Sequence, residues 1–212
     1  MKDSILEALS SWLSAGRNRF GELLVSHCEL RHYDDHDRED LELFTKPEAA
    51  RLIAALDDAD EYRPLKSAPN LRHGWKLELK DLNEIRLALD FFYPAMLGTL
   101  LAWEQNRLMA TNFRDTVERQ SGMYSVVKRI GNSQADQLIG GFCRHDTGCL
   151  KRIIWQIDQD RPITTLADQK FLPKLGASEA TGGPGPEEIP MICCEACNLL
   201  VAAARRVVKQ SQ

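Results

Sequence analysis

The chain has 212 residues, 43% of them hydrophobic and 27% charged, enough for one large domain or two small ones with real cores. A net charge of −4 excludes the strongly basic surface that broad nucleic-acid binding requires. Residues 1–110 carry 14 Lys/Arg against 20 Asp/Glu and residues 111–212 carry 13 against 11, so the acidic excess lies in the first half.

Met1-Lys2-Asp3-Ser4 lacks the basic start and apolar core of a secretory signal. Ile5, Leu6, Leu9, Trp12 and Leu13 recur at three and four and predict an amphipathic helix over Ser4–Ser14. Phe20–Tyr33 reads as a strand, the acidic run Asp34–Asp40 as a solvated turn, and Leu41–Phe44 as a short return strand. Pro47 marks the start of a helix over Glu48–Leu56. Tyr62-Arg63-Pro64-Leu65-Lys66 through Asn70 and Gly74-Trp75 reads as a loop with aromatic anchors. Asp81 is placed to cap a helix through Leu89, Tyr93-Pro94 ends it, and a second helix covers Ala95–Arg107.

The longest apolar run, Phe91–Trp103, is interrupted by Pro94 and Gly98 and falls short of the roughly 18 residues a membrane span needs. No membrane association is expected, and the expected compartment is the cytoplasm, where thiols stay reduced.

From Asn112 the character changes. Arg119-Gln120-Ser121-Gly122-Met123-Tyr124 leads into Val126–Ile130 and a helical stretch near Ser133–Leu138. Leu150, Ile153, Ile154 and Ile157 predict a helix over Cys149–Ile157. Gly176–Pro190, with four glycines and three prolines, is a loop, and a last helix runs from Cys197 or Asn198 to about Lys209.

Five of the six cysteines fall in this second half, as Cys143 and Cys149, then Cys193, Cys194 and Cys197. In a reducing compartment, clustered thiols point to a soft metal centre rather than to disulfides. Zinc knuckles space their ligands two to four apart, and Cys143-x5-Cys149 is wider than that. Iron–sulfur clusters tolerate wider and more distant spacings, so the pattern favours a cluster and leaves zinc as the alternative. Gly140, Gly141 and Gly148 let backbone bend around a bulky centre, while Phe142, Leu150, Ile192 and Leu199 shield it. Arg144, Lys151 and Arg152 supply nearby positive charge. A Cys194–Cys197 redox dithiol ranks behind both, because it leaves Cys143 and Cys149 unused. Cys28, alone on a strand, reads as an ordinary buried thiol.

Phe142-Cys143, Gly148-Cys149-Leu150-Lys151-Arg152-Ile153-Ile154-Trp155, Ile189-Pro190 and Cys193-x-Glu195-Ala196-Cys197-Asn198 together resemble the [4Fe-4S] cluster-binding domain attached to CbiX-like sirohydrochlorin chelatases. The likeness extends upstream through Arg119–Tyr124. The Tyr62–Lys66 loop with Gly74-Trp75 is similar to the small stabilising domain that precedes the cluster domain in those proteins. The resemblance implies Cys143, Cys149, Cys193 and Cys197 as ligands of one [4Fe-4S] cluster. The family pattern looks like proline after the third ligand, where this chain has Cys194, which makes Cys194 the alternative ligand. The chain as read carries no chelatase module, so it looks like the accessory half.

These readings combine into a helix-rich α+β protein. A small N-terminal acidic α/β stabilising domain, residues 1–110, is expected to pack on a helical four-cysteine domain, residues 111–212. The expected role is redox or electron transfer beside tetrapyrrole or metal-insertion chemistry, with a redox partner or a chelatase-type protein as partner. The alternative is a structural interaction module stapled by zinc or a non-cycling cluster. Four protein ligands leave no open iron position, so catalysis is not expected unless Cys193 and Cys194 exchange on one iron. No phosphate-binding glycine loop, nucleophile elbow or catalytic triad is visible. His27, His32 and His36 with Asp34, Asp35 and Asp37 read as a solvated loop rather than a second metal site. Trp155 reads as core packing, and Arg205, Arg206 and Lys209 as charges favouring a helix C-terminus.

Overall fold

A computed structural model describes residues 2–108, 129–139, 143, 149–153 and 187–210. The fold is α+β. Helix α1 (Lys2–Ser14) follows the expected apolar spacing and buries Leu9 and Trp12. The Trp12 indole donates to Glu104 Oε2 at 3.3 Å, tying this helix to a later one.

The segment expected to be one strand is three. β1 (Arg19–Phe20), β2 (Leu23–Val25) and β3 (Glu29–His32) form an antiparallel meander. Turn chemistry breaks the run. Gly21 sits at φ 63° between β1 and β2. Between β2 and β3, Ser26 Oγ accepts the N–H groups of Cys28 and Glu29, at 3.3 and 2.9 Å. Cys28 lies in that turn and is exposed, not a buried strand thiol.

The sheet order is β1-β2-β3-β5-β4, with β4 (Glu42–Phe44) and β5 (Trp75–Glu78). β4 runs parallel to β5, pairing Glu42 with Trp75 and Phe44 with Leu77, so it does not return onto β3. β5 replaces the end of the expected loop. Trp75 and Leu77 alternate inward and are fully buried, which is why a short strand holds the sheet's interior position. Tyr62 is 74% exposed, not a buried aromatic anchor, whereas Arg63 beside it is buried. The acidic run is only partly solvated: a 3-10 turn at Tyr33–Asp35 places Asp35 at 2% exposure.

Helices α2 (Ala49–Ile53), α3 (Leu82–Phe92) and α4 (Met96–Glu104) complete the first half. Asp81 caps α3 by accepting from Asn83 N and Glu84 N, as its position predicts. Trp75 stacks on Phe92 at 5.1 Å, and Phe20 meets Tyr93 edge-on at 5.4 Å, joining the sheet to α3. α3 and α4 are bent by 103° at their junction, and among the described residues no helix is long and apolar enough to cross a membrane.

In the second half, α5 (Asn132–Ile139) and α6 (Asn198–Gln210) match the expected helices. Arg152–Ile153, expected in a helix, instead forms β6 and pairs in parallel with β7 (Ile192–Cys193). The rest of that expected helix, with residues 119–124 and most of Gly176–Pro190, lies outside the described residues. The halves are sewn together by backbone. Asn18 and Arg19 N–H groups donate to Glu187 O at 2.9 Å, Ile189 N donates to Arg19 O at 2.7 Å, and Leu150 N donates to Ser67 O at 2.8 Å.

Candidate metal centre

The pairing of β6 with β7 sets the Cys149 and Cys193 segments side by side. Its register sets Ile153 opposite Cys193 and Arg152 opposite Ile192, with Arg152 N also donating to Met191 O at 2.8 Å. Cys149 therefore leads into one strand and Cys193 ends the other. Cys197 follows one turn later, just before α6. Leu200 N points back to Cys197 Sγ at 3.4 Å, so the sulfur stands where a helix cap stands, at the positive end of the helix dipole. Cys143, Cys193, Cys194 and Cys197 are each partly buried and pack with Leu150 against the apolar core.

As thiolates, Cys149 and Cys194 both oppose a negative charge on Cys193. Burial pushes the Cys193 thiol up to about 12, Lys151 opposes that shift, and the neighbouring Cys149 and Cys194 thiols add to it. Cys149 and Cys194 thus each lie within electrostatic reach of Cys193. Cys193 Sγ is spent on Glu195 O at 3.1 Å when it stays protonated.

Cys194 is turned differently. It lines a cavity of about 370 Å3 with Ile5, Arg86, Asp90 and Gly98 of the first half. Cys194 lies just past the end of β7 and lines this cavity, while Cys193 lies within electrostatic reach of Cys149 and Lys151.

The sequence gives no hint of the most intimate contribution from the first half. Ser67 Oγ lies 3.2 Å from Cys149 Sγ, and Ser67 is 3% exposed. The loop carrying it is braced from below. Arg63 Nη2 donates to Lys66 O at 3.0 Å, Ala68 O at 2.7 Å and Glu22 Oε2 at 3.3 Å, while Arg63 Nε donates to Asn70 Oδ1 at 2.9 Å. Glu22 in turn accepts from Leu71 N at 3.1 Å. A buried charge pair with this many partners fixes the loop backbone, and Lys66 adds a bond from Nζ to Phe91 O at 2.9 Å. Ser67 is reachable in the sequence only once the loop is known to pass under Cys149.

Gly140, Gly141, Phe142, Arg144, Gly148 and Trp155 lie outside the described residues. Arg152 makes an ion pair with Glu188 at 3.3 Å, so its charge is committed to holding the β6 segment. The histidine group does not assemble as the sequence spaced it. His27 and His36 are exposed while His32 is buried, and the partner of His32 is His73, from far along the chain.

The donor set fits a thiolate-held cluster. Soft sulfur ligands come from two segments, apolar side chains shield them, and a serine hydroxyl and a helix-terminal N–H face individual sulfurs. Comparison with known proteins agrees. Residues 105–206 match the 4Fe-4S iron–sulfur cluster binding domain family, and residues 6–107 match the DR2241 stabilising domain family. The fold is similar, at TM-score 0.69 and 30% identity, to a crystal structure of DR2241 from Deinococcus radiodurans. That is a multi-domain protein described as having structural similarity to chelatases and two additional novel domains. The similarity covers 96% of this chain and 42% of that one. No curated protein matches the chain.

Proposed function

Because the chain joins a DR2241 stabilising domain to a 4Fe-4S iron–sulfur cluster binding domain, we propose that it is an electron carrier whose [4Fe-4S] cluster is held by Cys143, Cys149, Cys193 and Cys197. The observation that carries this reading is the β6–β7 register, which brings the Cys149 and Cys193 segments side by side. Cys193 is preferred to Cys194 as the third ligand because Cys194 lines the cavity against α1, α3 and α4. A bound [4Fe-4S] cluster supplies one-electron redox chemistry.

The protein's own groups prepare the site for that use. Leu200 N–H and the Ser67 hydroxyl are donors placed at two of the sulfurs, and Lys151 sets a positive charge near Cys193. Such donors stabilise added negative charge and so raise the potential of whatever the sulfurs hold. The partner in this reading is a redox protein or a chelatase-type protein, in keeping with the chelatase-like neighbour. The compartment proposed is the cytoplasm. Anaerobic purification followed by iron and sulfide analysis tests the ligand set, with about four irons and four sulfides per chain expected. A single zinc and no sulfide contradicts it.

Ser67→Ala is expected to leave the iron content unchanged and to lower the midpoint potential. A hydrogen bond that strengthens by about 1 kcal/mol on reduction corresponds to about 40 mV for one electron. A redox titration of wild type beside Ser67→Ala checks it, and an unchanged potential removes Ser67 from the account.

A second reading has its own support. The same contacts that reach the sulfurs also join the halves, through Leu150 N to Ser67 O at 2.8 Å. In that reading the cluster is a staple that never cycles, and the chain is an interaction module.

A further inference from the structure

The first half holds a second group of metal-ligating side chains, remote in sequence from the cysteines. His32, Asp35 and His73 each offer a ligating atom within 4.8 Å of the others. The two imidazole rings lie 3.7 Å apart between centroids. His32 comes from the end of β3, Asp35 from the 3-10 turn that follows, and His73 from the residues just before β5. The β3–β5 pairing is what draws them together.

Two features separate this group from an ordinary polar cluster. The first is an unsatisfied buried atom. His32 is 3% exposed, its Nδ1 accepts from Asp34 N at 3.2 Å, and its Nε2 has no hydrogen-bond partner. That Nδ1 contact leaves the proton on Nε2, a buried donor with the Glu22 carboxylate 3.7 Å away, and a cation bound at Nδ1 polarises the ring and strengthens that contact. The second is the orientation of both rings. His32 Nε2 faces Glu22 Oε1 at 3.7 Å and His73 Nε2 faces Asp58 Oδ2 at 3.3 Å, while His73 Nδ1 faces Asp35 Oδ1 at 3.8 Å. Metal-bound histidines typically carry such an outer carboxylate on the nitrogen not used for the metal, which fixes the ring and raises its basicity.

We propose that His32, Asp35 and His73 form a binding site for a first-row divalent cation, zinc or ferrous iron. Both ions accept two imidazoles and a carboxylate. Nδ1 of each histidine and a carboxylate oxygen of Asp35 are the ligands, and Glu22 and Asp58 are the outer carboxylates. Asp35 is held ready by Gly74 N, which donates to Oδ2 at 2.7 Å. Asp34 Oδ2 stands 3.9 Å from His32 Nδ1 at the solvent rim. Two existing contacts give way on binding: the Asp34 N–H bond to His32 Nδ1, and the Arg38 guanidinium 3.3 Å from Asp35 Oδ1, on a half-exposed side chain that also pairs with Asp40 at 3.2 Å. His73, partly exposed, is the entry side. Site occupancy pins β3 to the β5 approach, and through Glu22 it touches the same Arg63 network that braces the Ser67 loop.

Equilibrium dialysis of the cluster-loaded protein against Zn2+ tests the site with the cysteines already engaged. The expected result is one extra zinc per chain with the iron unchanged, and binding weakened at least about tenfold in His73→Gln. His73→Gln is the informative variant because His32 is buried and caps the 3-10 turn. Added Co2+ reports the ligands, with visible ligand-field bands and no thiolate-to-cobalt charge transfer expected. Competition between Zn2+ and Fe2+ under anaerobic conditions then distinguishes the two ions. No zinc bound beyond the iron, zinc binding unchanged by His73→Gln, or a thiolate charge-transfer band overturns the proposal. Iron content of the same samples reports separately on the cysteine centre.

Discussion

Cys193→Ala is expected to lose the cluster and Cys194→Ala to keep it. The two thiols are adjacent in sequence and far apart in role. Cys193 ends β7 opposite Ile153 and stands within electrostatic reach of Cys149 and Lys151, whereas Cys194 lines the cavity beside Ile5 and Gly98. Loss of an outer partner alone typically costs about 10–100-fold in metal affinity, so removal of a direct ligand costs more. Iron and sulfide per chain, measured after anaerobic purification of each variant, give the answer. Circular dichroism establishes that the first half stays folded. Equal iron in wild type and Cys193→Ala contradicts the assignment, and loss in Cys194→Ala alone transfers the ligand to Cys194.

Gly21→Ala is expected to cost about 3 kcal/mol, combining a left-handed backbone penalty with overpacking. Gly21 has φ 63°, and a Cβ there falls 2.7 Å from Cζ and Oη of Tyr93. The Tyr93 ring has nowhere to go. It is buried, packs edge-on against Phe20, and its Oη accepts from Glu22 N at 3.0 Å. Glu22 belongs to the Arg63 network, so damage at Gly21 travels towards the loop that carries Ser67. A loss of this size lowers Tm by about 15 °C for a domain of roughly 100 residues. Thermal unfolding of the variant checks it, and a fall of only a few degrees shows that the ring yields.

Local signals in the chain were readable where one residue type does one job. Asp81 announces the start of α3 because a carboxylate at that position satisfies free N–H groups, and the three- and four-residue spacing of α1 shows in Leu9 and Trp12. The clustered thiols announce a soft-metal site in the same way. What failed depends on distant partners. Leu150 and Ile153 fit a helix period, yet Arg152–Ile153 becomes a strand because Ile192–Cys193 supplies its hydrogen bonds. Trp75 reads as the end of a loop because the strand character of Trp75–Glu78 comes from two neighbours, β3 and β4. Ser67 and His73 reach their sites through long-range pairing, and nothing beside them in the sequence marks them. The glycine and serine turns at Gly21 and Ser26 were legible in principle, since turn chemistry divides an apolar run.

We propose that the cysteine centre is a working electron carrier rather than a fixed staple. An EPR-monitored redox titration of the anaerobically purified protein tests it most directly. An electron carrier gives a single signal that appears on reduction, disappears on reoxidation, and repeats over several cycles with iron content unchanged. A cluster that stays silent down to the lowest potential at which the protein remains folded, or that breaks down on first reduction, contradicts it and leaves the structural reading standing.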